Sequence, residues 1–299
     1  MSSTTSTSGF RFRQALQQQP LAIPGVFNAL TARMAERAGF HAVYQSGAAL
    51  SAGLAAVPDV GLLTQTEFAE QGAYLARATT LPVISDADTG FGEPLSVERT
   101  VQLYERAGLA GLHLEDQEMP KRCGHLSGKS LASADAMIAR LRAAVTARQD
   151  PGFVIIARTD ARGVRGLDEA LDRAKAYVDA GADMIFPEAL ETPAEFERFA
   201  REIRVPLLAN MTEFGRSPLL TFSQLTGMGF RAVLFPVTIF RVAMQAAERA
   251  RGELLEKGTQ QGFVDQMQTR AALYDLLNYE GYDKRDQAYF GGNREARSS

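Results

Sequence analysis

Eight short apolar runs rich in β-branched residues alternate along the chain with longer stretches whose apolar positions recur at helical spacing. The runs begin near Ile23, Ala42, Pro82, Gly111, Phe153, Met184, Pro206 and Ala232. This alternation predicts a parallel sheet wrapped by helices. No linker, charge run or low-complexity segment interrupts it, which favours a closed α/β fold, the (β/α)8 or TIM barrel, over a doubly wound sheet. Gly39, Gly108, Gly181 and Gly229 each precede a strand run, where glycine can take the left-handed conformation that stops a helix. Between the third and fourth runs, Ser96 is the expected N-cap of a helix that presents Val97, Val101 and Tyr104 on one face. Ser133 is the expected cap of another, carrying Ala134, Ile138, Leu141 and Val145. Beyond the eighth run, 239–257 and 263–278 read as extra C-terminal helices. Their apolar positions, among them Val242, Leu254, Leu255, Met267, Leu273 and Leu276, exceed what a tail needs, and packing against a neighbouring subunit is one outlet for them. The Ser/Thr-rich 1–9 reads as a disordered tail, 10–290 as one barrel domain with its C-terminal helices, and 291–299 as a flexible tail.

Composition narrows the function. With 32 basic and 35 acidic residues in 299 and a formal net charge of −3, there is no electrostatic case for nucleic acid or an anionic membrane as partner. A small solute is the expected ligand. A single cysteine excludes an internal disulfide, and no apolar run approaches the ~20 residues of a membrane span. The amino-terminal stretch lacks the basic and apolar regions of a signal peptide, so the expected compartment is the cytoplasm. Neither a Walker phosphate loop nor a convincing dinucleotide fingerprint is present.

Barrel enzymes keep their chemistry where strands end and βα loops begin, and polar residues stand there after most runs. Ser46 and Gly47 follow the second, Asp86 and Asp88 the third, Glu115 and Asp116 the fourth. Arg158 and Asp160 follow the fifth, Glu188 the sixth, and Asn210, Thr212 and Glu213 the seventh. Asp86 and Asp88 sit two apart, on one side of a strand, and with Glu115 they offer the hard oxygen ligands that suit Mg²⁺, with Mn²⁺ as the substitute. Zinc is disfavoured by the lack of any His/Cys ligand spacing. Arg158 ends an apolar strand, so it must meet carboxylates or a ligand; a structural pair with Glu188 or Asp160 is the alternative. Asn210 and Thr212 offer neutral donors to a carboxylate, or to loop backbone. His113, between Leu112 and Leu114, reads as a hydrogen-bonded barrel residue.

The lone cysteine lies in Lys121-Arg122-Cys123-Gly124-His125-Leu126-Ser127-Gly128-Lys129, among four potential cations. Lys121 and His125 beside it are expected to lower the thiol's pKa, and Gly124 and Gly128 to let the backbone approach an anion. A metal, arginines and an acidic thiol together suit a substrate with several carboxylates whose carbanion needs a proton. A covalent role for Cys123 is the other reading.

With Asp86-Ala87-Asp88-Thr89-Gly90-Phe91-Gly92 and Gly111-Leu112-His113-Leu114-Glu115-Asp116-Gln117, the cysteine stretch resembles the isocitrate lyase and phosphoenolpyruvate mutase superfamily, and within it the 2-methylisocitrate lyases. The likeness runs over about 23–282 and includes Ala157-Arg158-Thr159-Asp160-Ala161, Phe186-Pro187-Glu188-Ala189 and Ala209-Asn210-Met211-Thr212-Glu213. The resemblance implies a homotetramer, a dimer of dimers, with the last barrel helix swapped between subunits, and Mg²⁺ held by Asp86 and Asp88 with Glu115 nearby. It implies retro-Claisen-type cleavage of the tricarboxylate 2-methylisocitrate to pyruvate and succinate in the methylcitrate cycle of propionate catabolism. Ser46, Gly47, Ala48, Cys123, Gly124, Arg158, Glu188, Asn210, Met211, Thr212, Arg241 and Arg270 would bind substrate. Tyr44 or Asp59 would take the hydroxyl proton, and Cys123, tuned by Lys121 and His125, would protonate succinate. Leu126-Ser127-Gly128 after Cys-Gly-His is closer to isocitrate lyase itself, so isocitrate or another substituted malate is the alternative substrate, and a non-catalytic carboxylate-binding barrel a further reading. Phe186, Leu234 and Pro236 form the apolar wall expected to receive the extra methyl.

Overall fold

The computed structural model describes residues 6–126 and 128–290; the tail expected at 291–299 and the first five residues of the one expected at 1–9 lie outside the described residues. The described chain falls into two compact units, Met1–Arg241 and Val242–Ser299. In the first unit the elements run α1 Ser8–Gln18, β1 Leu21–Val26, α2 Ala29–Arg37, β2 Val43–Gln45, α3 Gly47–Ala55, α4 Gln65–Ala78, β3 Val83–Asp86 and α5 Pro94–Ala107. They continue with β4 Gly111–Glu115, α6 Ala134–Ala147, β5 Val154–Thr159, α7 Arg162–Arg165, α8 Leu167–Asp179, β6 Met184–Pro187, α9 Pro193–Glu202, β7 Leu208–Asn210, α10 Phe222–Gly227 and β8 Ala232–Phe235. All eight predicted runs are strands. They pair in parallel in the order β6-β5-β4-β3-β2-β1-β8-β7. The Ile185 amide donates to the Pro206 carbonyl at 3.1 Å, and this bridge beside β7 brings the sheet round into a (β/α)8 barrel.

Parity along the strands sorts the core into two shells. Val154, Ile156, Ile84, Met184, Phe186, Leu208 and Leu234 belong to one buried cluster inside the barrel, whereas their neighbours Ile155, Ala157, Val83, Ile185, Ala209 and Val233 pack outward under the helices. The inward parity runs on to the carboxyl ends, so Asp86 follows Ile84 and Arg158 follows Ile156. Register then sets Asp86 beside His113, Glu115 beside Arg158, and Arg158 beside Phe186.

The helix-ending glycines take the expected positive φ: 88° at Gly39, 86° at Gly108, 104° at Gly181 and 110° at Gly229. Ser133 caps α6, accepting from the Ala136 amide at 3.1 Å. Ser96 does not cap α5. That helix begins a turn earlier, at Pro94, because proline suits the first helical position and Glu93 occupies the cap. Sequence reading also passed over α1, which begins at Ser8 behind a Thr7 cap and sends Phe12 and Leu16 into the amino-terminal end of the barrel. A cavity of about 550 Å³ lies at that end. Its charged lining is largely consumed by the fold: Arg13 pairs with Asp183 at 2.8 Å, and Arg231 donates to the carbonyl of Leu16.

α11, Thr238–Lys257, leads into the second unit, which continues with a 3-10 helix at Gln261–Gln266, α12 Arg270–Leu276 and α13 Tyr279–Tyr289. The single helix expected over 263–278 is therefore broken. Thr269 starts a new one by accepting from the Ala272 amide, and Asn278 ends it with φ 56°. Val242, Leu255 and Tyr289 in this unit are more than half exposed.

Candidate active site

One cavity at the carboxyl ends of the strands is lined by Tyr44, Asp86, Glu115, Arg158, Phe186, Asn210 and Leu234 from inward strand positions, and by Glu188, Thr212 and Pro236 just beyond them. Ser46 and Ala48 from the start of α3, Asp59, the loop residues Lys121 to His125, Val237 and Arg241 complete it. Arg158 is the hub. Its guanidinium lies 3.3 Å from Glu115, 3.0 Å from Asp160 and 3.7 Å from Glu188, and over the Phe186 ring at 5.2 Å. It thus makes the structural pairs weighed as an alternative and still faces the cavity.

Burial alone would raise the Glu188 carboxyl, but the charge on Arg158 and the hydrogen bond from His125 hold it well below the usual carboxylate range. The Asn210 amide donates to both Glu188 oxygens at 3.2 Å. Burial pushes His113 down to about 4, so its ring is neutral at pH 7, with Nε2 2.8 Å from the Tyr44 hydroxyl and 3.5 Å from Asp86. This is the hydrogen-bonded barrel histidine that its place in β4 suggests. Burial, then the Asp86 charge, raises the Tyr44 phenol well above its ordinary value, so Tyr44 keeps its proton.

Lys121 joins the metal-type carboxylates to the cysteine loop. Its ammonium pairs with Asp59 and, at 2.6 Å, with Asp88. Burial lifts Asp88 to about 7 against the pull of Lys121, with Asp86 adding repulsion. Four carboxylates, Asp59, Asp86, Asp88 and Glu115, thus crowd around two cations, Lys121 and Arg158. Glu115 Oε1 is buried without a hydrogen-bond partner. Burial and the repulsion of neighbouring carboxylates, which raise Glu115 as well as Asp88, together with the orphaned oxygen, fit a divalent cation. Among the described residues no three Asp, Glu, His or Cys side chains converge as a ready-made cage. That geometry does not exclude Mg²⁺, which keeps several waters and takes only one or two carboxylates beside substrate oxygens.

The cysteine loop leaves β4 and returns at a bridge between Gln117 and Leu131. The Gln117 side chain accepts from the Arg122 amide at 2.9 Å and donates to the Arg122 carbonyl at 2.8 Å, pinning the residue before Cys123. Gly124 presses so closely on the strand ends that a Cβ there would collide with Glu188 and Arg158. His125 Nδ1 accepts from the Arg216 amide at 2.9 Å, which leaves the ring proton on Nε2, 2.7 Å from Glu188.

The thiol itself departs from expectation. Burial raises the Cys123 pKa, the His125 amide works against this, and Glu188 raises it further. The flanking cations do not produce an acidic thiol because they are committed elsewhere, Lys121 to Asp59 and Asp88 and Lys129 to Asp160, while the His125 ring, its Nδ1 already accepting from the Arg216 amide, donates to Glu188. At neutral pH Cys123 is therefore a protonated thiol.

Other predicted residues are distributed as follows. Ser46 caps α3 by accepting from the Ala49 amide, so Ser46, Gly47 and Ala48 bring a helix amino terminus to the cavity wall, suited to a carboxylate. Gly47 packs on Asp86, Met211 is buried behind the rim, and Arg241 lies 3.6 Å from Glu213. Arg270 opens α12 in the second unit, exposed. Sequence reading missed Val237, which lines the cavity, and a buried network around Asp116. Asp116 accepts from Thr159 and Tyr177 at 2.8 Å, from Arg173 at 3.2 Å and from the Asp160 amide at 2.8 Å. Its partners lie 43 to 61 residues along the chain, so no local pattern signals them.

The sequence pattern of the phosphoenolpyruvate phosphomutase family matches residues 12–255. A probable 2-methylisocitrate lyase of Corynebacterium glutamicum is 54% identical over 279 residues, covering 93% of this chain and 91% of its own. A 2-methylisocitrate lyase of Aeropyrum pernix is 50% identical, with 93% and 90% covered. Among solved structures, 2,3-dimethylmalate lyase, a member of the phosphoenolpyruvate mutase/isocitrate lyase superfamily, superposes with a TM-score of 0.89 at 35% identity over 95% of each chain. A phosphonopyruvate hydrolase in complex with oxalate and Mg²⁺ superposes with a TM-score of 0.84 at 30% identity, covering 98% of this chain and 99% of that one.

Proposed function

The chain belongs to the phosphoenolpyruvate mutase/isocitrate lyase superfamily and is a lyase of it, and from that premise we propose that it cleaves 2-methylisocitrate to pyruvate and succinate, with Mg²⁺ as cofactor, in the methylcitrate cycle of propionate breakdown. The observation that carries the reading is the shared cavity: the only thiol of the chain lines it together with Asp86, Glu115 and Arg158.

The chemistry requires three things. The substrate hydroxyl must lose its proton, the carbon–carbon bond must break with its electron pair left on the succinate carbon, and that carbon must gain a proton. Asp59, at the cavity and paired with Lys121, is the group placed to take the hydroxyl proton. Tyr44 keeps its own proton and acts as a hydrogen-bond donor instead. Arg158 stabilises the negative charge that the hydroxyl oxygen of the future pyruvate half carries once its proton has left. A divalent cation held by Asp86 and Asp88, with Glu115 nearby, would supply further Lewis-acid stabilisation of that charge. The Cys123 thiol then gives its proton to the succinate carbanion, and a group in the donor role must start protonated, as this one does. Lys121 and His125 act by holding the loop that carries the thiol. Asn210, Thr212, Arg241 and the start of α3 hold carboxylates, Glu188, itself an anion, orients Arg158 and Asn210 for that task, and Arg270 is assigned to it by family likeness. Phe186, Leu234 and Pro236 line the cavity where an extra methyl would be buried, worth about 0.8 kcal/mol by transfer.

The likeness to 2,3-dimethylmalate lyase supports a second reading, cleavage of a smaller substituted malate. Incubating the protein with Mg²⁺ and 2-methylisocitrate, isocitrate or 2,3-dimethylmalate separately decides between them. The proposal expects pyruvate and the highest kcat/KM with 2-methylisocitrate; a higher value with either rival overturns the substrate assignment. No described helix is long and apolar enough to cross a membrane, and we place the enzyme in the cytoplasm. We assign the exposed apolar positions of the second unit to contacts between subunits of a homotetramer, so a monomer in sedimentation would refute that assignment.

A further inference from the structure

Lys129 lies six residues beyond Cys123 and touches none of the groups so far given a role in proton transfer. Its side chain is only 3% exposed, unusual for a lysine in a loop. The ammonium donates to the Gly124 carbonyl and, at 2.8 Å, to Asp160 Oδ1. Asp160 is fully buried and is itself fixed twice over. Its amide donates to Asp116, which Tyr177, Arg173 and Thr159 also hold, and its carboxylate takes two hydrogen bonds from Arg158, at 3.0 and 3.2 Å. Burial alone would raise the Asp160 carboxyl; Arg158 and Lys129 hold it below the ordinary value, so it stays an anion between two cations.

We propose that Lys129 is a positioning residue: its buried ammonium clamps the backbone beside Cys123 to the rigid end of β5, so that one carboxylate, Asp160, sets both the substrate-binding arginine and the proton-donating thiol. An ammonium suits this task because it can donate to a carbonyl and a carboxylate at once while matching the charge of Asp160. Gln117 fixes the loop on one side of Cys123 and Lys129 on the other, and the close approach of Gly124 to Arg158 and Glu188 is the contact that the clamp maintains. The inference rests on the reading of Cys123 as proton donor.

The test replaces Lys129 in the full-length protein by Met, which keeps the stem without charge or donors, and by Gln, which keeps a donor for the carbonyl. Each variant is assayed for kcat and KM with 2-methylisocitrate and Mg²⁺, and for the rate at which iodoacetamide alkylates the single cysteine. In Lys129→Met the loosened loop should raise the alkylation rate about fivefold or more and lower kcat by about 10- to 100-fold with KM within about threefold, since a donor misplaced by ~1 Å loses rate more than binding. Lys129→Gln should fall between it and the wild type in both readings. Unchanged alkylation and kcat in both variants overturns the proposal, and so does a rise in KM matching the fall in kcat/KM with alkylation unchanged, which would make Lys129 a substrate-binding group. Should the wild type fail to cleave the substrate, the lyase reading fails, and the alkylation comparison still decides whether Lys129 holds the loop.

Discussion

Cys123 must be a thiol at neutral pH for the proposed role, and its ionisation can be followed without any substrate. Burial raises its pKa above that of a free cysteine, so at pH 7 its thiolate fraction lies below the about 3% of a free thiol with a pKa near 8.5. Ionisation alone should thus make alkylation at pH 7 slower than in the unfolded chain, and burial in the loop slows it further. Because the chain has one cysteine, mass-spectrometric counting of iodoacetamide adducts reads this site alone, and the same protein in denaturant supplies the reference rate. Between pH 7 and 8 the rate should climb about tenfold and it should go on climbing to pH 9, since a raised pKa leaves the thiol the major species throughout. A plateau below pH 8, or alkylation faster than in the unfolded chain, would reveal a stable thiolate. That result would turn the reading from proton donor to nucleophile.

Gly124→Ala should keep the fold, read as an unchanged melting temperature within a few degrees, while lowering kcat by about tenfold or more, because the added methyl must push the cysteine loop off Arg158 and Glu188. Arg173→Met should cost about 3 kcal/mol in urea unfolding, since it strips a buried cation from Asp116 and Glu169 and a donor from the Ala132 carbonyl. Glu188 and Asp160 both have carboxyls held below their ordinary values. The stability they contribute is therefore complete above the unfolded carboxylate range, about pH 4–4.5, and is lost as pH falls through the lowered values; denaturant midpoints should be flat above about pH 5 with respect to these two groups and decline below it.

Most of the barrel was legible because every strand shows as an apolar run, and β2, β4, β6 and β8 are announced a second time by the glycine that ends the preceding helix. The rim was legible for a related reason. Inward parity carries the core residues Ile84 and Ile156 straight on to Asp86 and Arg158, so position relative to the end of an apolar run marked the functional residues. α1 escaped because its amphipathic stretch has polar residues at most positions and only Phe12, Leu16 and a close-packed Gly9 buried. The acidity of Cys123 was misjudged for a different reason. Neighbours in sequence supply cations, but Asp59, Asp88 and Asp160, brought in from other strands and loops, claim Lys121 and Lys129 first. Lys129 was visible only as one more cation in the loop, since its partner Asp160 is 31 residues away.

The central claim, a metal-side cleavage completed by a proton from Cys123, is tested most directly by Cys123→Ser. Pyruvate release from 2-methylisocitrate with Mg²⁺ is measured beside the binding of oxalate, a compact dianion resembling the pyruvate half. A serine hydroxyl is too weak an acid for the donor role, so turnover should fall by about 10²- to 10⁴-fold while oxalate binds within about threefold of wild type. Pyruvate release at the wild-type rate from that variant would contradict the account.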